Sequence, residues 1–111
     1  MSNTYNAQTH CWEVDGPGIL WSNDHGSAPS YAIGPKYVIR VVFHPTNVGD
    51  DAIFQENIST ETAFKLKAGA TDTSAVTLDF SKENHGRGRR FVGLKCAIMD
   101  GMTSTAELYI G

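Results

Sequence analysis

Residues Lys36–His44, KYVIRVVFH, decide the fold. Tyr37, Ile39, Val41 and Phe43 alternate with Val38 and Val42, so residue types that favour extended backbone supply apolar side chains to both faces. A strand of that kind belongs inside a sheet. The segment 45–50, PTNVGD, stops it, and 51–57 resumes with Ile53 and Phe54 on opposite sides of the pleat, which predicts a hairpin. Alternation recurs further out. Residues 62–67 put Phe64 and Leu66 inward and Lys65 and Lys67 outward, and 74–80 set Val76, Leu78 and Phe80 against Thr77 and Asp79. Residues 91–99 are apolar on both faces and are expected to form a terminal hairpin with 106–110. On the N-terminal side, 9–14 place His10, Trp12 and Val14 on one face before the turn DGPG at 15–18, and another strand starts at Ile19. No window carries helical spacing with a cap. The expected fold is all-β, a two-sheet antiparallel β-sandwich or jelly roll of about eight short strands. Residues 1–8, small and polar apart from Tyr5, read as a flexible N-terminal arm, and 9–111 as a single β-sandwich domain.

Composition narrows the function. The 111 residues suffice for one core and not for two. Charged residues make up 19% and glycines number 11, a balance suited to short strands joined by tight turns. A net charge of −3 argues against a surface that clings throughout to nucleic acid, because neutralising phosphates needs a positive surplus. Any such contact would be local. With no basic start before an apolar run, and no apolar stretch near the roughly 18 residues that cross a bilayer, the expectation is a soluble chain made in a cytoplasm, without membrane contact. Cys11 and Cys96 are too few for a disulfide scaffold, and Cys96 alternates with Val92, Leu94 and Ile98, so both are expected as free thiols.

The chemistry-bearing residues are sparse. There is no Gly-x-Ser-x-Gly elbow, phosphate loop or His-Glu-x-x-His helix, so the chain reads as a non-enzyme without cofactor or metal. His10, His25, His44 and His85 are scattered, and Asp24-His25 would join Asp50-Asp51 in a metal-binding cluster only if their loops met at one end of the sandwich. Otherwise they are solvated turn residues. The sharpest local feature is 85–90, HGRGRR, where Arg87, Arg89 and Arg90 gather three of the nine basic side chains in a glycine-loosened loop. Guanidinium forks there would grip carboxylates of an acidic protein or phosphates of a nucleic acid, unless the loop serves solubility alone. Trp12, Trp21, Tyr31, Tyr37 and Tyr109 would make a sugar-stacking platform if exposed, yet Trp12 and Tyr37 fall in register with apolar neighbours. Trp21, which borders the polar loop SNDHGSAPS at 22–30, is the aromatic expected at a surface or interface. The expected partner-binding set is therefore Arg87, Arg89, Arg90, Trp21 and, on the arm, Tyr5.

Taken together, Trp12-Glu13-Val14-Asp15-Gly16, the strand from Tyr37 to Phe43, Phe91-Val92-Gly93-Leu94-Lys95 and the ending Leu108-Tyr109-Ile110 resemble small β-sandwich proteins that tailed bacteriophages encode beside their head genes. The resemblance spans most of the chain from Thr9 onward. It implies a virion component without a cofactor, a capsid decoration or cement protein that contacts the major capsid protein or another virion protein and is oligomeric within the assembly. A tail or fibre position is the variant that the loop 22–30 would suit, and a stand-alone glycan-binding module or an enzyme accessory subunit are the competing classes. A neighbouring portal, protease or capsid gene would favour the first class, and a secretion signal on a larger precursor the glycan module.

Overall fold

The computed structural model of the protein describes residues 3–21, 35–56, 62–100 and 104–110. The loop 22–30, Asp24-His25 and Tyr31 lie outside the described residues. Ten strands follow one another: β1 Thr4–Asn6, β2 Cys11–Val14, β3 Gly18–Trp21, β4 Lys36–His44, β5 Asp51–Glu56, β6 Thr62–Lys67, β7 Val76–Asp79, β8 Arg89–Phe91, β9 Leu94–Met99 and β10 Thr105–Ile110. They form two antiparallel sheets, one ordered β1-β2-β10-β4-β7 with β8 also on β4, the other β3-β9-β5-β6. The protein is an all-β sandwich, as the alternation demands.

The core lies between the sheets. Trp12, Val14, Val41, Phe43, Ala106 and Leu108 of the first sheet face Trp21, Phe54, Phe64, Leu66, Leu94 and Cys96 of the second. Phe64 stacks on Phe54 at 4.8 Å and meets Phe80 and Phe91 at 5.7 and 5.5 Å, an aromatic cluster that ties β6 to the opposite sheet. Lys65 and Lys67 point to solvent, as read.

Several expectations fail for non-local reasons. Neither proposed hairpin forms. β4 and β5 belong to different sheets, because residues 45–50 make a corner in which Thr46 N donates to Ser104 Oγ at 2.8 Å and Asn47 N to Asp50 Oδ2 at 2.8 Å. The stretch 91–99 likewise splits at Val92 and Gly93, so that β8 joins the first sheet and β9 the second, while β10 inserts between β2 and β4. Bulges shift the faces. The register slips between Tyr109 and Ile110 opposite β4, which leaves Ile39 as the extra residue, turns Val38 inward with Val41 and Phe43, and turns Tyr37 outward. A second slip opposite Ile53 and Phe54 moves Ile98 from the expected core to the outer face, 43% exposed.

The arm expectation fails at Thr4–Asn6, which pairs with β2. Asn3 fastens this edge by donating from Nδ2 to Gly16 O and accepting from Asp15 N, each at 3.0 Å. Asn6 Oδ1 accepts from Gln8 N and Thr9 N to fold the turn that follows, and His10 leaves it with φ 52° rather than sharing a strand face with Trp12.

Cys11 and Cys96 are free and buried, Cys11 on the outer side of the first sheet and Cys96 in the core. Burial pushes the Cys96 thiol up to about 12, and burial, helped by the Glu107 and Glu13 carboxylates, pushes Cys11 up to about 11. The folded state therefore holds both protons where the unfolded chain, titrating at 9.0, releases them. That contribution to stability is fully present below pH 9.0 and is lost as pH rises through the folded values. Native protein should resist thiol alkylation and denatured protein release two reactive thiols, while the urea midpoint falls above pH 9.0. Native thiols that react as fast as a free peptide thiol, or a midpoint that rises in that window, would contradict the burial.

Candidate functional site

The arginine segment grows out of the end of β7. Asp79 Oδ1 accepts from Ser81 N at 2.7 Å; hydrogen bonds from the Ser81 side chain and backbone, helped by Arg40 and Lys82, hold its carboxyl below the usual range. Phe80 turns into the core, its N–H donating to Ile39 O on the bulged strand at 2.8 Å. From there the chain coils tightly. Gly86 N and Gly88 N both donate to Glu83 O, at 3.1 and 3.0 Å, Arg87 N donates to Asn84 O at 3.2 Å, and Asn84 Nδ2 donates to Gly88 O at 2.8 Å. Asn84, His85, Gly86 and Gly88 all have positive φ, at 51, 59, 90 and 99°. Two of these are not glycine, and left-handed backbone costs an L-residue on the order of 1–2 kcal/mol. The loop expected to be loosened by glycine is instead a fixed turn, in which the glycines permit close packing.

That turn separates the three arginines. Arg89 is bound internally: Nε and Nη2 reach Glu83 Oε1 and Oε2 at 3.0 and 2.8 Å, and its guanidinium lies 4.4 Å from the centre of the Phe80 ring. Arg87 lies 4.9 Å over the ring of Tyr37, the residue that the β4 bulge turned outward. Arg90, opposite Tyr37 in the β4–β8 register, is exposed and takes no partner among the described residues. Two guanidinium groups are thus presented on a rigid frame.

Of the other expected contact residues, Trp21 is corrected outright. It is 0% exposed, 6.3 Å from the Trp12 ring, and its Nε1 donates to Phe91 O at 3.1 Å. Tyr5 is half-buried against Trp12 at 5.6 Å, with its hydroxyl 3.3 Å from His10 Nδ1. Both rings serve internal packing. Trp12 is buried too, and Tyr109 lies beneath the Arg40 guanidinium at 4.5 Å, so these residues form no open sugar platform.

A groove of about 440 Å³ opens on the outer side of the first sheet, lined by Thr4, Glu13, Asp15, His44, Thr105 and Glu107 among others. Sequence reading missed it, because Glu13 and Glu107 meet only through the β2–β10 register. His44 Nε2 lies 2.9 Å from Glu107 Oε1. Asp50 and Asp51 are engaged elsewhere, Asp50 within its own corner and Asp51 with Lys67 at 3.3 Å. Among the described residues no group of three or more His, Cys, Asp or Glu side chains is placed to hold a metal ion, and no helix is long and apolar enough to cross a membrane. Compared with known proteins, the chain matches no family model, no curated protein and no solved structure.

Proposed function

We propose that this chain is a non-catalytic structural protein of a tailed-phage virion, a capsid decoration or cement protein that docks on an acidic surface of the major capsid protein through Arg87 and Arg90. The observation that supports this reading is the strained, hydrogen-bonded turn that presents two arginines while committing the third to Glu83. Strain held by surrounding structure marks a segment built for a task. Forks held in place lose less side-chain freedom on binding, so each charge-assisted contact keeps more of its free energy. The glycan-module alternative is less well supported, since Trp12 and Trp21 are buried.

Co-sedimentation with emptied heads of the encoding phage tests the proposal. Changing Arg87 and Arg90 together to alanine should weaken binding about tenfold or more and flatten its salt dependence, while thermal stability stays within about 0.5 kcal/mol of wild type. Arg89→Ala should behave differently, lowering stability by up to about 1 kcal/mol because it removes a half-exposed brace. Wild-type protein that stays in the supernatant, or a double variant that pellets as well as wild type, would end this reading. Tighter binding to a short DNA duplex than to heads would assign the arginines to phosphate instead.

A further inference from the structure

The two outer sheet faces are chemically unlike. On the second sheet, Ile19 of β3 lies beside Lys95 of β9, which lies beside Gln55 of β5; in the next row Ile98 lies beside Ile53, and Ile53 beside Lys65 of β6. Ile19 and Ile98 are 48% and 43% exposed, large for isoleucines on a strand. Lys67 on this face is neutralised by Asp51, whereas Lys65 and Lys95 take no partner among the described residues. This face combines exposed isoleucines with two free cations.

On the first sheet's outer face Arg40, Arg87 and Arg90 lie toward β7 and β8, whereas the β2–β10 end carries the charge complementary to Lys65 and Lys95. Glu13 and Glu107 stand directly opposite each other on β2 and β10, a like-charge pairing that destabilises a sheet by itself. His44 Nε2 lies 2.9 Å from Glu107 Oε1 and Asn6 Nδ2 reaches Glu13 at 3.4 Å, but no Lys or Arg of the described chain bonds either carboxylate. At the far edge Asp79 is already opposed by Arg40. The excess negative charge therefore gathers at the groove, beside Val42 and the methyl-bearing Thr4 and Thr105.

We infer that copies of this chain associate head to tail, the lysine and isoleucine face of one copy seating on the Glu13–Glu107 groove of the next. The occupant is a second copy because both halves of the match lie on the chain itself, on opposite outer faces of one sandwich. Lys65 and Lys95 would place ammonium groups against the opposed carboxylates, and Ile19 and Ile98 would leave water around them. Such a contact is heterologous. It leaves a free half-site at each end, so it propagates into a ring or filament rather than stopping at two copies. The inference stands apart from the capsid reading, since it uses neither Arg87 nor Arg90.

Sedimentation velocity of the full chain tests it. Wild-type protein should form species larger than a dimer at ~20 mM salt and dissociate toward monomer at ~500 mM, where exposed charges are screened. Lys65→Glu with Lys95→Glu should weaken association about tenfold or more, as should Glu13→Lys with Glu107→Lys. Circular dichroism and melting identify any variant that fails to fold, and Glu13→Lys alone, at an exposed position, serves as the milder second probe. An equimolar mixture of the two double variants is the deciding sample. Each lacks one half of the match and supplies the half that the other needs, so the mixture should associate in alternation where neither does alone. A wild-type monomer at every salt and concentration, an assembly that stops at two copies, or a mixture of folded variants that stays monomeric would each overturn the inference.

Discussion

Trp21→Ala should destabilise the domain by about 4 kcal/mol, enough to take up much of the 5–15 kcal/mol that holds an ordinary domain folded. Trp21 is 0% exposed and is among the largest fully buried side chains of the protein. Truncation removes its contacts with Trp12 and leaves a cavity that strands β3 and β9, fixed by their pairing, cannot close. It also strands Phe91 O, which accepts from Trp21 Nε1 at 3.1 Å. A buried carbonyl without its donor adds about 1–3 kcal/mol to the cost of lost packing. Trp21→Phe separates the two effects, since it keeps an aromatic ring and loses the donor; it should cost about half as much. Urea denaturation of both variants measures the difference. A loss below about 1 kcal/mol for Trp21→Ala would place this side chain at a surface, within the range of ordinary exposed substitutions.

Trp21 also shows why parts of the molecule were legible in sequence and others were not. Its polar neighbours at 22–30 suggest exposure, but its burial depends on Phe91, a partner 70 residues away. Local alternation was sufficient where a strand has one wet face and no bulge, as with Phe64, Lys65, Leu66 and Lys67. It misplaced Tyr37 and Ile98 because one extra residue reverses every side chain beyond it, and alternation within a single strand does not register what its partner does. Turn residues also carry two meanings. The same Pro, Asn, Gly and Asp types that close a hairpin make the corner at 45–50, and only the pairing of the next strand decides between them. The arginines themselves were legible. Which of them is free was not, since Arg89 meets Glu83 only because four positive φ angles fold the intervening chain back. No local signal announces the Glu13–Glu107 groove at all, because its halves lie near opposite ends of the chain.

The arginine turn depends most on Gly88, and Gly88→Ala should cost about 3–5 kcal/mol, a melting shift beyond 10 °C for a domain of this size. Gly88 has φ +99°, where an L side chain is strained whatever the space around it. Space is lacking as well. A Cβ there would stand 2.3 Å from Val38 O, 2.7 Å from Val38 C and 3.0 Å from Ile39 Cα. All three atoms are backbone of β4, the strand that pairs with β7, β8 and β10, so relief requires β8 to lift from β4 at the Val38–Arg89 pair. Gly49 supplies the internal control. Its φ is +78°, yet nothing lies within 4 Å of an added Cβ, so Gly49→Ala carries the backbone strain alone, about 1–2 kcal/mol. The difference between the two substitutions is therefore the contact with β4, and it should appear in thermal melts of the two variants under one condition. Displacing β8 also moves Arg90 and breaks the alignment of Arg89 with Glu83, so heads should retain less of the Gly88→Ala protein even at temperatures where it stays folded. If Gly88→Ala melts within about 1 kcal/mol of Gly49→Ala, β8 does not lie against β4 as closely as described, and the rigid presentation of Arg87 and Arg90 loses its basis.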